Sequence, residues 1–261
     1  MNCIIRHIPN TITSMNLLCG VLGILSCLGG DVPTAFCLML AASVFDFCDG
    51  LAARALHAYS PMGKELDSLA DMVSFGVLPA VMTVCFAQCS LENYAFSSEV
   101  SSAARWIVVC SPVIVAVFSG LRLAKFNIDE RQSENFIGLA TPASAVLLAS
   151  LVCFAMKSDS TLAGRISEWR VVRFLVPALS VALAALLVSE IPMFAMKIKK
   201  GRSLAEGVYG KMRIAFFAGA AVIVVLVAVL GIHFSLAFSL IFLYYIILNV
   251  AALPFASGKN K

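Results

Sequence analysis

Charge is what this chain lacks most: only 13% of its 261 residues are Asp, Glu, Lys or Arg, against 61% that are hydrophobic. A soluble globule must cover its core with polar surface, and this composition cannot supply it, so a water-soluble enzyme or carrier is excluded. Histidine is equally sparse. His7, His57 and His233 are too dispersed for a zinc site. The nine cysteines include no C-x-x-C pair; even Cys85 and Cys89, four apart and able to share a helix face, read as small apolar packing residues. No repeat of fixed period, low-complexity tract or loop the size of a soluble domain interrupts the chain, so one integral membrane domain over residues 1–261 is expected. Nothing calls for a nucleic-acid partner. The first apolar run also lacks an A-x-A cleavage pattern, which predicts that it stays as an uncleaved helix.

What the chain has in quantity is long apolar runs, at roughly 14–28, 33–45, 72–91, 106–121, 139–156, 174–189, 214–232 and 234–253. By length they predict an all-α protein of about eight transmembrane helices. The second run is long enough only if it continues through Asp46 and Asp49, so these acids must face protein or water. With the amino terminus inside, fourteen Lys and Arg fall on the inner side and five (Arg105, Lys157, Arg165, Arg170 and Arg173) on the outer. That asymmetry predicts a multi-pass protein of an inner or plasma membrane with both termini cytoplasmic. The turn between helices two and three, with acids on either side, then faces the cytoplasm. The basic run "KIKKGR" at 197–202 serves as a topology determinant or a contact for anionic lipid headgroups.

Most of the interest lies in "DFCDGLAARALHAYSPMGKELDSLADMVSFG", residues 46–76. On a helix Asp46 and Asp49 share a face, with Gly50, Ala53 and Arg54 on the same arc. Gly63, Asp67 and Asp71 recur every four residues on the next helix. Ser60, Pro61 and Gly63 have turn chemistry, which makes the two helices antiparallel neighbours with facing polar stripes. Four converging carboxylates repel unless cations or protons neutralise them. All-oxygen ligation selects hard ions, Mg²⁺ or Mn²⁺, and a cluster of four has room for two, as suits in-line displacement at phosphorus. Gly50 and Ala53 let a bulky ligand approach the backbone, and Arg54 can pair with its phosphates. An ion or proton pathway is the rival from a different class.

The pattern Asp46-x2-Asp49-Gly50-x2-Ala53-Arg54-x8-Gly63-x3-Asp67-x3-Asp71 resembles the complete signature of the CDP-alcohol phosphotransferase family. The segment "PNTITSMNLLCG", Pro9 to Gly20, is similar to what precedes that signature in many members and predicts a short interfacial helix leading into the first span. The resemblance implies transfer of a phosphatidyl or similar group from a CDP-linked donor to an alcohol, with release of CMP and a divalent metal. It makes Asp46, Asp49 and Asp67 metal ligands, and Asp71 the general base and a further metal contact. Gly50, Ala53, Arg54 and Gly63 would line the CDP site, with Asn10, Thr13 and Asn16 contributing.

Two further segments, "GLRLAKFN" (120–127) and "FIGLATPASA" (136–145), are similar to those of membrane-bound phosphatidylserine synthases within the family. They depart from the usual forms at Gly120, at Lys125 where arginine is common, and at Ala140-Thr141. This likeness implies CDP-diacylglycerol as donor, L-serine as acceptor, and Arg122 and Lys125 as the acceptor's cationic contacts; glycerol 3-phosphate or inositol remains open as the acceptor. It also implies a catalytic core over 8–190, a basic loop and two last spans over 191–261, a homodimer, and a lateral opening through which the donor's acyl chains stay in the bilayer.

Overall fold

A computed structural model describes residues 3–92, 101–128, 136–157, 161–194 and 207–252. The run at 197–202 and Arg131 lie outside these residues. Within them the chain is almost entirely helical: α1 (Cys3–Leu28), α2 (Val32–Ala55), α3 (Pro61–Asp71), a π-helical segment (Met72–Val77), α4 (Leu78–Glu92), α5 (Ser102–Cys110) and α6 (Val113–Ile128) come first. Then follow strand β1 (Phe136–Ile137), α7 (Thr141–Lys157), α8 (Thr161–Ser167), α9 (Trp169–Val188), strand β2 (Pro192–Met193), α10 (Gly207–Val229) and α11 (Ser235–Ala251).

Among the described residues each apolar run read from the sequence is largely helix, but not every run forms a full span by itself. Six helices among the described residues are long and apolar enough to cross a bilayer. A seventh arises only if α7 and α8, bent by 110° to each other, form one broken span. α11, with 17 residues, sits at the lower limit of a crossing. Hydropathy registers apolar length and is blind to such a bend.

The amino-terminal segment also differs from expectation. Instead of a separate interfacial helix, α1 runs without a break from Cys3 and carries Pro9 inside it. Its polar residues are compatible with this because their hydroxyls bond back one turn: Thr11 Oγ1 to His7 O at 3.0 Å, Thr13 Oγ1 to Pro9 O at 3.0 Å and Ser14 Oγ to Asn10 O at 2.8 Å.

Capping sets the other boundaries that matter. Asp31 opens α2, its carboxylate accepting from Thr34 N at 3.2 Å and Thr34 Oγ1 at 2.6 Å; these two bonds hold its carboxyl below the usual carboxylate range. α2 passes straight through Asp46 and Asp49, as its length required. The chain then reverses over residues 56–60, with His57 in the left-handed region at φ 51°. Ser60 Oγ accepts from Gly63 N at 2.9 Å and Pro61 takes the first helical position, which starts α3.

α1 packs along α2 and across α3, while the backbones of α2 and α3 scarcely touch each other. α1 thus supports both acidic helices and leaves a gap between them. Farther along, β1 and β2 pair antiparallel, Phe136 opposite Met193. Gly138 enters this pairing at φ 77°, where a Cβ would stand 2.7 Å from Leu187 O and 2.8 Å from Ser189 O; only glycine suits that backbone. α11 clasps the same region: Asn249 Oδ1 accepts from Phe194 N at 2.9 Å, and Tyr245 OH donates to Phe194 O at 3.0 Å.

Candidate active site

Asp49 stands six residues before the end of α2 and Asp67 six after the start of α3, so the hairpin brings them to the same depth. One carboxylate oxygen from each of Asp46, Asp49 and Asp67 lies within 4.8 Å of the others. Asp49 Oδ2 and Asp67 Oδ1 are buried without a hydrogen-bond partner. Buried carboxylate oxygens are costly to leave unpaired. Three converging carboxylates, two of them with an orphaned oxygen, fit a hard divalent cation by chemistry and by spacing.

Asp71 lies one turn further along α3, outside that trio. Its Oδ1 accepts a hydrogen bond from Asn16 Nδ2 at 3.2 Å. The π segment begins at the next residue, and such insertions in helices concentrate at functional sites.

Between the trio and the 56–60 turn lies a cavity of about 560 Å³. Asn10, Thr13, Gly50, Ala53, Arg54 and Gly63, all anticipated as nucleotide contacts, line it together with Asp49 and Asp67. Asn16, anticipated with them, does not line it. A Cβ on Gly50 would meet only Arg54 Nη2, at 3.9 Å, so the glycine leaves space on the cavity side of α2. Gly63 has a different duty. A Cβ there would approach Asn10 Oδ1 to 2.9 Å and Ser60 Oγ to 3.0 Å, so its absence lets α3 close on α1. Arg54 Nε donates to Gly50 O at 2.8 Å, which holds the guanidinium along the cavity rim.

Tyr59, Lys64 and Phe126, none of them among the residues anticipated for the site, also line the cavity. Lys64 Nζ donates to Asn127 O at 2.9 Å, and Asn127 Nδ2 donates to Ser68 Oγ at 2.9 Å, tying the end of α6 to α3. A cation directly after Gly63 was the one available signal; nothing in the sequence links Phe126 to a turn more than sixty residues away.

The family model for CDP-alcohol phosphatidyltransferase matches residues 6–186, well over half of the chain. The chain belongs to this family. Among relatives, the CDP-diacylglycerol–serine O-phosphatidyltransferase of Bacillus subtilis (strain 168) is 35% identical over 146 residues, 56% of this chain and 75% of that one. The archaetidylserine synthase of Methanothermobacter thermautotrophicus is 31% identical over 157 residues (58% and 60%). The CDP-diacylglycerol–serine O-phosphatidyltransferase of Helicobacter pylori (strain J99) is 32% identical over 146 residues (55% and 56%). The match spans less than two thirds of the length of the latter two.

In this CDP-alcohol phosphatidyltransferase the two cations anticipated for the acceptor part company. Arg122 is buried, 8% exposed, and its Nη1 donates to Thr141 Oγ1 at 3.1 Å. Its guanidinium lies 5.4 Å from the centre of the Phe126 ring, so it stands behind a residue of the cavity wall. Lys125 instead approaches Glu190 at 3.8 Å, in a pair whose side chains are 42% and 75% exposed. A pair so open to solvent contributes little stability.

Proposed function

We propose that this chain transfers the phosphatidyl group of CDP-diacylglycerol to the hydroxyl of L-serine, with release of CMP, at the cytoplasmic face of an inner or plasma membrane. The observation that carries the proposal is the Asp46–Asp49–Asp67 cluster, with two orphaned oxygens, opening onto a cavity rimmed by Arg54. The names borne by the relatives support serine as acceptor. Mg²⁺ or Mn²⁺, as two ions, held by Asp46, Asp49 and Asp67 and touched by Asp71, would neutralise the diphosphate and the phosphate that departs with CMP. Gly50 and Ala53 admit the nucleotide close to the backbone, Gly63 lets α3 close on α1 beside it, Asn10 and Thr13 offer it polar contacts, and Arg54 pairs with its phosphates. Asp71 takes the proton of the attacking hydroxyl. Donor acyl chains remain in the bilayer through a lateral opening between helices, and the protein acts as a homodimer.

Serine brings one carboxylate to be recognised, and a single buried arginine, Arg122, suits it. A phosphorylated acceptor calls for a second cation, and Lys125 is turned toward Glu190. Incubation of purified protein with CDP-diacylglycerol, Mn²⁺ and single alcohols tests the assignment: CMP appears with serine. CMP with glycerol 3-phosphate or inositol but not serine would reassign the acceptor, and none with any alcohol would favour ion transport. Arg122→Ala should raise the KM for serine by about tenfold or more, the worth of a hydrogen bond to a charged group, while the KM for CDP-diacylglycerol stays within about twofold. Equal rises in both would remove Arg122 from the acceptor pocket.

A further inference from the structure

Asn16 is fully buried, with 0% exposure, and takes no part in lining the nucleotide cavity. It faces the base instead. Its Nδ2 donates to Asp71 Oδ1 at 3.2 Å, and its backbone carbonyl accepts from Ser74 Oγ at 3.1 Å. One turn along α1, a Cβ on Gly20 would run into that same Ser74 hydroxyl, so glycine is what allows α1 to lie against the π segment there. Asp71 and the π segment are thus tied to α1 by the Asn16 amide and the Ser74 hydroxyl. The other half of the amide has no such duty: Asn16 Oδ1 is buried and accepts no hydrogen bond. An orphaned acceptor of this kind is costly unless something arrives to fill it. Because both amide atoms share one carbon, Oδ1 lies close beside the carboxylate that its partner nitrogen holds.

We propose that Asn16 is the positioning residue for Asp71 and that its Oδ1 receives the ammonium of the acceptor alcohol. The proposal rests on the serine-transfer reading and deepens it. Serine carries its hydroxyl and ammonium on neighbouring carbons, so the hydroxyl reaches Asp71 while the ammonium donates to Asn16 Oδ1. Its carboxylate is left for Arg122, which lies within electrostatic reach of Asp71. The hydroxyl proton passes to Asp71, the oxygen bonds to the phosphatidyl phosphorus, and the bond from that phosphorus to CMP breaks with its electron pair on CMP.

The test compares serine with 3-hydroxypropionate, which keeps the hydroxyl and carboxylate and lacks the ammonium. Wild-type protein is assayed first, and a failure to release CMP with serine sinks the transfer reading itself. Given that activity, Asn16→Ala lowers kcat with serine by about 10²-fold through the mispositioned base. It shrinks the preference for serine over 3-hydroxypropionate in kcat/KM by about tenfold or more. The KM and binding of CDP-diacylglycerol in nanodiscs stay within about twofold. If Asn16→Ala does not bind CDP-diacylglycerol, the same ratio is read in Asn16→Ser. An unchanged preference, or loss of CDP-diacylglycerol binding in both variants, overturns the proposal.

Discussion

Asp71→Asn is expected to lower turnover by about 10³-fold, within the usual range for losing a general base, while CDP-diacylglycerol binding in the presence of Mn²⁺ stays within about twofold. The substitution is nearly isosteric and retains an oxygen for the hydrogen bond from Asn16, so it removes the ability to take a proton and little else. Binding is largely spared because the Asp46–Asp49–Asp67 trio stays whole, Asp71 adding only a further contact to the metal, and because Asp71 does not line the cavity beside Arg54. CMP release and calorimetric titration with CDP-diacylglycerol, made on the same nanodisc preparation, separate the two quantities. A fall in binding that matches the fall in turnover would make Asp71 chiefly a metal ligand and leave the proton without an acceptor.

The difference between Asp71 and the other three acids shows what was legible in the sequence. Helical spacing puts Asp46 beside Asp49 and Asp67 beside Asp71, and a hairpin with turn chemistry at Ser60–Pro61 matches the depths of the two pairs. Period and turn are local properties, so the trio could be read before any coordinates. The different part given to Asp71 came from the family resemblance and not from spacing, because physically it depends on which acid has a partner on a third helix: Asn16 of α1 reaches Asp71. The π segment was hidden, since "MVSFGV" is a continuous apolar run that reads as plain helix. Lys125 illustrates the same limit. Its charge marks it as a candidate, yet it approaches Glu190, 65 positions along the chain and just past the end of α9. The second motif kept its physical meaning in a different place: Gly138 of "FIGLATPASA" serves the β1–β2 pairing, and Thr141 of the same motif fastens Arg122.

Asp67→Asn and Asp49→Asn are each expected to abolish measurable turnover and to reverse the order of thermal stability between wild type and variant when metal is removed. The reversal follows from charge. Two carboxylates with an oxygen each within 4.8 Å of the other repel by about 3 to 4 kcal/mol at an effective dielectric near 20, and the orphaned oxygens of Asp49 and Asp67 have no donors to offset it. Without a cation, replacing one carboxylate by an amide removes part of that repulsion and raises the Tm above that of wild type. With Mn²⁺ at about a hundred times its Kd, binding adds about 2.7 kcal/mol to the native wild-type protein, while the variant, one anionic ligand short, gains little. Melting curves of the three proteins in chelator and in Mn²⁺, taken at pH 8 where protons compete least for the carboxylates, read this directly. A wild type that is the most stable protein in both conditions would mean that the acids are held by contacts within the fold, and the cluster would then lose its standing as a metal centre.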